Sequence, residues 1–256
     1  MTRFFDGPRP RVLAHRGLAL DAPENTLLAF ARAVALGVTH IETDVHATLD
    51  GIAVVSHDPD LGRVGRDARK ISLLTLEQVR GIRLPEGQGV PTLLEALEAF
   101  PDTCFNIDVK VPEAVRPTIE AVRAAGATDR VLVTSFSEDR RRAAVVGLPG
   151  VASSASSRGV ALAVAVSLVP WGPLRRILLR AATHGVRALQ VPECWGRFRV
   201  VTAARVEALA EIGVEVHVWV VDDPADMRRL VALGVAGVVT DRADVALGTV
   251  GAPPAV

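Results

Sequence analysis

The sequence predicts an α/β chain closed into a (β/α)₈ TIM barrel. Short β-branched runs alternate with Ala- and Leu-rich helical stretches from one end to the other. About eight such units fit into 256 residues, the size of a single barrel domain; an open doubly wound sheet is the alternative. Glycines at Gly37, Gly126, Gly185, Gly213 and Gly234 fall just past helical stretches, where a left-handed residue closes a helix. A strand–helix rhythm of this kind makes a mostly parallel sheet covered by helices.

In chain order, strands are expected at residues 11–15, 40–46, 52–57, 104–110, 130–136, 151–155, 188–192, 215–221 and 237–241, most of them short runs rich in Val, Ile, Leu or Phe. Helices are expected between them at 24–36, 92–100, 113–125, 138–146, 174–184, 203–212 and 225–233. The rhythm breaks at 59–90, which is rich in Gly, Arg, Lys and Asp and carries one short helical piece near 76–80. With few apolar residues of its own, 59–90 reads as an insertion at the barrel mouth within a single domain spanning 1–256.

Composition narrows the function. Lys and Arg number 29 and Asp and Glu 29, so nothing supplies the cationic excess of a dedicated nucleic-acid binder. Two cysteines, Cys104 and Cys194, cannot build a disulfide framework or a zinc site and read as buried small hydrophobes. The first eleven residues carry no apolar signal segment, and the apolar stretch 159–171 is shorter than the ~20 residues a bilayer span needs. A soluble cytoplasmic protein is the expectation, with its oligomeric state open.

Barrel active sites lie at the C-terminal ends of the strands. Here those ends carry His15-Arg16, Glu42 and Asp44, His57-Asp58, Asp108 and Lys110, Ser135, Gln190, Glu193, Trp219 and Asp241. Glu42 and Asp44 are two apart and share a strand face. Together with Asp108 they make three carboxylates on apolar strands, a donor set for a hard divalent cation such as Ca²⁺ or Mg²⁺. Solvated strand-edge carboxylates are the simpler alternative, but the flanking Ile41, Val45, Ile107 and Val109 argue for burial. His15 and His57 can divide general acid and general base duties near neutral pH. His40, His184 and His217 read as core histidines, and His46 is ambiguous. Arg16 and Lys110 can grip an anion or neutralise the carboxylates. Trp219 can floor a pocket or simply pack. Sequence signatures of ATP or dinucleotide binding, zinc proteolysis and serine hydrolysis are absent.

In sequence order, His15-Arg16-Gly17, Pro23-Glu24-Asn25-Thr26, Ile41-Glu42-Thr43-Asp44-Val45, Asp50-Gly51 and Val55-Ser56-His57-Asp58 resemble the glycerophosphodiester phosphodiesterase family. So do Pro91-Thr92-Leu93 with Glu95, Asn106-Ile107-Asp108-Val109-Lys110, Ser135-Phe136, Val218-Trp219 and the segment 234–241. The resemblance spans nearly the whole chain. It implies a TIM barrel and a metal-dependent hydrolysis releasing glycerol 3-phosphate and an alcohol. It further implies His15 and His57 as the acid/base pair, Glu42, Asp44 and Asp108 as cation ligands, and Arg16 and Lys110 on the phosphate. Glu24 would support the first loop and, with Trp219, belong to the substrate side. Two departures stand out: the third carboxylate is Asp108 where the family usually has Glu, and Val220-Val221-Asp222 replaces the usual Thr-Val-Asn.

Other functions remain open at this level. Lysophospholipids fit the same chemistry as alternative substrates. Lys110 at a strand end also suits a Schiff-base aldolase, and a non-catalytic phosphate-binding barrel is a third possibility. The apolar and arginine-bearing region 159–180 suits either a lipid-docking surface or, more simply, a barrel helix with a basic outer face.

Overall fold

The computed structural model describes residues 2–251. Residues 1 and 252–256, the outer limits of the expected domain, lie outside the described residues. Eight parallel strands form the barrel: β1 (Arg11–His15), β2 (His40–Ala47), β3 (Cys104–Val109), β4 (Val131–Thr134), β5 (Ala152–Ser153), β6 (Ala188–Val191), β7 (Glu215–Val218) and β8 (Gly237–Thr240). Their hydrogen-bonded order is β5-β4-β3-β2-β1-β8-β7-β6, and a parallel bridge between Ser154 and Ala188 joins the two ends. The sheet is thus a (β/α)₈ barrel and not an open one.

The outer layer is made of α1 (Leu27–Ala35), α2 (Leu93–Ala99), α3 (Val115–Ala124), α4 (Glu138–Gly147), α5 (Ser157–Val166), α6 (Gly172–Ala182), α7 (Ala203–Ala210), α8 (Pro224–Ala232) and α9 (Ala243–Thr249). Hydroxyl caps start several of them: Thr26, Thr92, Ser137, Ser156 and Thr202 each accept a hydrogen bond from a first-turn amide. All five glycines expected past helix ends have positive φ. Helices α5 and α9 are absent from the sequence expectation. The reason for α5 is visible: it lies in an apolar run with too few polar residues to show a 3.6-residue period.

The run expected as a strand at 52–57 is not a barrel stave. Only five residues separate β2 from the strand Ala53–Val55, too few for a parallel crossover, so it returns antiparallel against Val45–Ala47. The insertion also differs from expectation. It buries a small cluster of its own, including Leu61, Ile71, Leu74, Val79 and Leu84, under two short antiparallel strands. These apolar residues are spaced without a helical or strand period, which hides them in the sequence.

Inside the barrel, Leu13, Cys104, Leu132, Ala188 and Val239 pack together, with Phe4 and Phe5 closing the end where the strands begin. Polar groups at that end meet one another or the backbone. Arg11 donates to Glu215 (2.6 Å), His217 Nε2 meets the same carboxylate (3.0 Å), and His40 Nε2 donates to the Phe4 carbonyl (2.9 Å). His40 and His217 are buried as expected, whereas His184 and Cys194 are exposed on the outer layer and are not core residues.

Burial holds His40 neutral and pushes its pKa down to about 4. The unfolded imidazole takes up its proton near 6.5, so between these values the unfolded chain binds more protons and stability falls as pH drops. The loss from His40 is on the order of 3 kcal/mol, and His217, also lowered by burial, adds to it in the same direction. The thermal midpoint is therefore expected to fall between about pH 7 and about pH 4.5, and His40→Gln to flatten part of that slope. A midpoint independent of pH across this range would contradict the assignment.

Candidate active site

The other end of the barrel carries the chemistry. Glu42 and Asp44 alternate with apolar residues on β2 and so point to the same side, as Asn106 and Asp108 do on β3. Parallel register sets Asp44 beside Asp108, Glu42 beside Asn106, and His15 of β1 beside Glu42. The β2 strand runs three residues past Asp44, and its antiparallel return brings the chain back down. The Ser56 amide then bonds the Asp44 carbonyl (3.0 Å), and His57 arrives at the carboxylate layer.

All three carboxylates are buried. Lys110 Nζ lies 2.7 Å from Asp44 Oδ1 and 2.7 Å from Asp108 Oδ2. Asp44 Oδ2 accepts from Asn25 Nδ2 (3.2 Å) and lies 3.3 Å from Arg16 Nε. Glu42 Oε2 and Asp108 Oδ1, by contrast, are buried without a hydrogen-bond partner. Burial, with Asp44 nearby, holds the Glu42 carboxyl well above the usual carboxylate range, and burial raises Asp108 despite Lys110. Lys110 is pulled the other way. Burial opposes its charge, but Asp44 and Asp108 overcome that and keep it an ammonium, which deprives the aldolase alternative of its free amine.

Each histidine has a carboxylate partner. His15 Nδ1 is 2.7 Å from Asp241 Oδ1, and His57 Nδ1 is 2.7 Å from Asp58 Oδ1. An ionised carboxylate only accepts, so Nδ1 carries the proton and Nε2 is the nitrogen free for proton exchange. Burial works against protonation of His15, but the Asp241 bond and the Glu42 charge outweigh it and raise its pKa. His46 donates from Nε2 to the His57 carbonyl (3.2 Å), which resolves it as a support of that loop.

Backbone geometry explains the first motif. Arg16 and Asn25 both sit at φ +57°, and the Asn25 amide bonds the Arg16 carbonyl (2.9 Å), folding the loop over Asp44. Gly17, at φ +85°, passes so close to α1 that a Cβ would lie 2.7 Å from the Ala29 backbone, which only glycine avoids.

His15, Arg16, Glu42, Asp44, His57, Asp108, Lys110 and Trp219 all line one cavity of about 320 Å³. Phe136, edge-on to Trp219 at 6.2 Å, and Thr134 line it too; Phe136 was noted only as part of a motif and Thr134 was not singled out from the sequence. Glu24 does not line it. Its carboxylate stands behind, taking Arg16 (2.9 Å) and both terminal nitrogens of Arg63 (2.7 Å each). Arg63 comes from the insertion, and its Nε donates to Asp58 Oδ2 (2.7 Å). One guanidinium therefore ties the partner of His57 to the partner of Arg16. Asp222, a departure from the family pattern, binds the Asp241 amide and Thr240 (2.8 Å each), and so acts on the loop that orients His15.

Among the described residues no three His, Cys, Asp or Glu side chains are already drawn together around a point, and Lys110 holds two of the carboxylates. The donor set nevertheless fits a hard dication: three buried carboxylates with two oxygens left without partners.

Residues 15–245 match the model of the glycerophosphoryl diester phosphodiesterase family. The chain belongs to that family. It is 38% identical over 241 residues to a Mycobacterium tuberculosis protein named "Probable glycerophosphodiester phosphodiesterase 2", covering 91% of this chain and 87% of the relative. It is 32% identical over 245 residues to the glycerophosphodiester phosphodiesterase of Caldanaerobacter subterraneus subsp. tengcongensis, covering 90% and 93%. The structure of an Oleispira antarctica phosphodiesterase, solved with the product sn-glycerol-3-phosphate, shares the fold at a TM-score of 0.76 and 23% identity over 94% of this chain and 96% of that one.

Replacing Arg63 by Ala should leave the barrel folded but free both Asp58 and Glu24, lowering turnover by about tenfold to a hundredfold. Arg63→Lys, which cannot bridge both carboxylates with a planar fork, should recover only part of it. Unchanged turnover in Arg63→Ala, measured beside the thermal midpoint, would remove Arg63 from the positioning of the site.

Proposed function

We propose that this member of the phosphodiesterase family hydrolyses glycerophosphodiesters to glycerol 3-phosphate and an alcohol, with His15 and His57 exchanging protons and a divalent cation held by Glu42, Asp44 and Asp108. The chain is a glycerophosphodiester phosphodiesterase by its family and its relatives. The observation that carries the finer reading is two carboxylate-oriented histidines facing one cavity with Arg16 and Lys110.

Arg16 and Lys110 receive the phosphodiester anion. Arg16 is pre-aimed by Glu24, and Lys110 is held at the carboxylate layer. One imidazole takes a proton from the attacking hydroxyl or water, and the other returns one to the leaving oxygen. Asp241 and Asp58 keep each ring in the tautomer that exposes Nε2 and stabilise the imidazolium that forms. A bound Ca²⁺ or Mg²⁺ would supply charge to offset the negative charge growing on the phosphoryl oxygens. Trp219 and Phe136 shape the wall for the glycerol or alcohol side.

Lysophospholipids are a second reading of the same site, favoured by the apolar wall of Phe136, Val160, Pro192, Trp195 and Trp219. Among the described residues no helix is long and apolar enough to cross a membrane.

Release of glycerol 3-phosphate from glycerophosphocholine and glycerophosphoethanolamine tests the proposal. Chelation is expected to abolish release, and either Ca²⁺ or Mg²⁺ to restore it. His15→Ala and His57→Ala should each lower turnover by about 10²- to 10⁴-fold with folding intact. Near-normal turnover in either variant would remove that histidine, and chelator-resistant turnover would remove the cation. Turnover of lysophospholipids in place of the soluble diesters would decide for the second reading.

A further inference from the structure

Between β5 and β6 the chain makes two helices where the barrel repeat needs one. The pair α5 and α6 carries an exposed apolar and basic surface. Residues 157–182, which span both helices, contain four arginines and neither Asp nor Glu, in a chain whose net charge is zero. On α6, Leu174, Ile177, Leu178 and Ala181 recur at i, i+3, i+4 and i+7, with Trp171 one turn earlier, and all are exposed. Trp171 is 63% and Ile177 64% exposed, and of α6 only Leu179 is buried. Arg176 and Arg180, one turn apart and both exposed, flank the apolar stripe; Arg176 also lies 3.9 Å from Glu211 at the end of α7. Exposed Leu162 and Leu168 extend it along and beyond α5.

This face adjoins the active-site mouth. Ser157 and Val160 of α5 line the catalytic cavity, as does Trp195 in the short hairpin Cys194–Trp195/Phe198–Arg199. Arg205, in the first turn of α7, ties the parts together. It donates to Ser167 beside Leu168 (2.8 Å) and to the Arg199 carbonyl (3.1 Å), and its guanidinium stacks 5.5 Å from the Phe198 ring. The hairpin itself exposes Trp195, Phe198, Arg197 and Arg199.

We propose that this face, formed by α5, α6 and the hairpin, docks the enzyme on an anionic lipid surface with the cavity mouth beside the membrane. Exposed Trp, Leu and Ile next to arginines, on helices lying flat against a barrel, are what insertion into a headgroup layer requires: apolar side chains enter the interface and guanidinium groups pair with lipid phosphates. The absence of acidic residues across 157–182 gives the face the charge complementary to such a surface. A second copy of this chain, itself neutral overall, supplies no matching excess of negative charge.

Vesicle cosedimentation of the full chain tests the proposal independently of turnover. Binding is expected to phosphatidylglycerol-containing vesicles at low salt, weak binding to pure phosphatidylcholine, and release as salt is raised. The pair Arg176→Glu and Arg180→Glu should weaken binding at least about tenfold. Trp171→Ser with Ile177→Ser should weaken it at unchanged charge, with the thermal midpoint and hydrolysis of soluble diesters unaltered. No sedimentation with anionic vesicles at low salt would overturn the proposal, as would binding that both variants leave intact. Self-association of the wild type lost in Trp171→Ser/Ile177→Ser, without vesicle binding, would assign the face to a second copy instead.

Discussion

Glu42, Asp44 and Asp108 lie side by side in the barrel interior, where three unpaired carboxylates cannot remain charged without cations close by. The rest of the site is arranged around that constraint. Lys110 bridges Asp44 and Asp108, and Asn25 and Arg16 cover the second Asp44 oxygen. Arg16 is in turn held by Glu24, Glu24 by Arg63, Arg63 by Asp58, and Asp58 orients His57. Charges of alternating sign thus lead from the buried layer to the His57 ring, and each link limits the positions of the next. Within the layer Glu42 Oε2 and Asp108 Oδ1 have no hydrogen-bond partner, and His15 Nε2 lies 3.8 Å from the first.

The two ends of the barrel differ in what their polar groups face. Where the strands begin, Arg11 and His217 share the Glu215 carboxylate and His40 reaches the Phe4 carbonyl, inside an end closed by Phe4 and Phe5. Where they end, the polar groups face an open cavity. Burial lowers the pKa of His40, whereas His15, half-buried and facing Asp241 and Glu42, is raised. The same residue type is structural at one end and available for proton transfer at the other because of the carboxylates around it.

Much of this was legible in the sequence because barrels place function at predictable points. Glu42 and Asp44 share a face by strand alternation, and His15, Asp108 and Lys110 fall at strand ends. These positions follow from local pattern alone. Arg63 could not be found that way: it sits in a stretch without periodicity, and its Glu24 partner is 39 residues away. His57 was found, but its setting was not, since an antiparallel return and not a barrel stave delivers it. Asp58 was adjacent to His57 in the sequence, yet only the fold shows that its carboxylate turns back on the ring. Helix α5, hidden in an apolar run, and the insertion's small core escaped because their apolar residues show no helical or strand period. The exposure of Cys194 and His184 likewise reflects the hairpin and the extra helix, which no local pattern announced.

The claim that a buried, charge-deficient carboxylate layer organises this site is tested most directly by calorimetric titration of the metal-free protein with Ca²⁺ and with Mg²⁺, beside Glu42→Gln and Asp108→Asn. Saturable binding of one ion per chain, lost in both variants while their thermal midpoints show them folded, is the expected result. Absence of saturable binding of either ion, or binding that both variants retain, would contradict it.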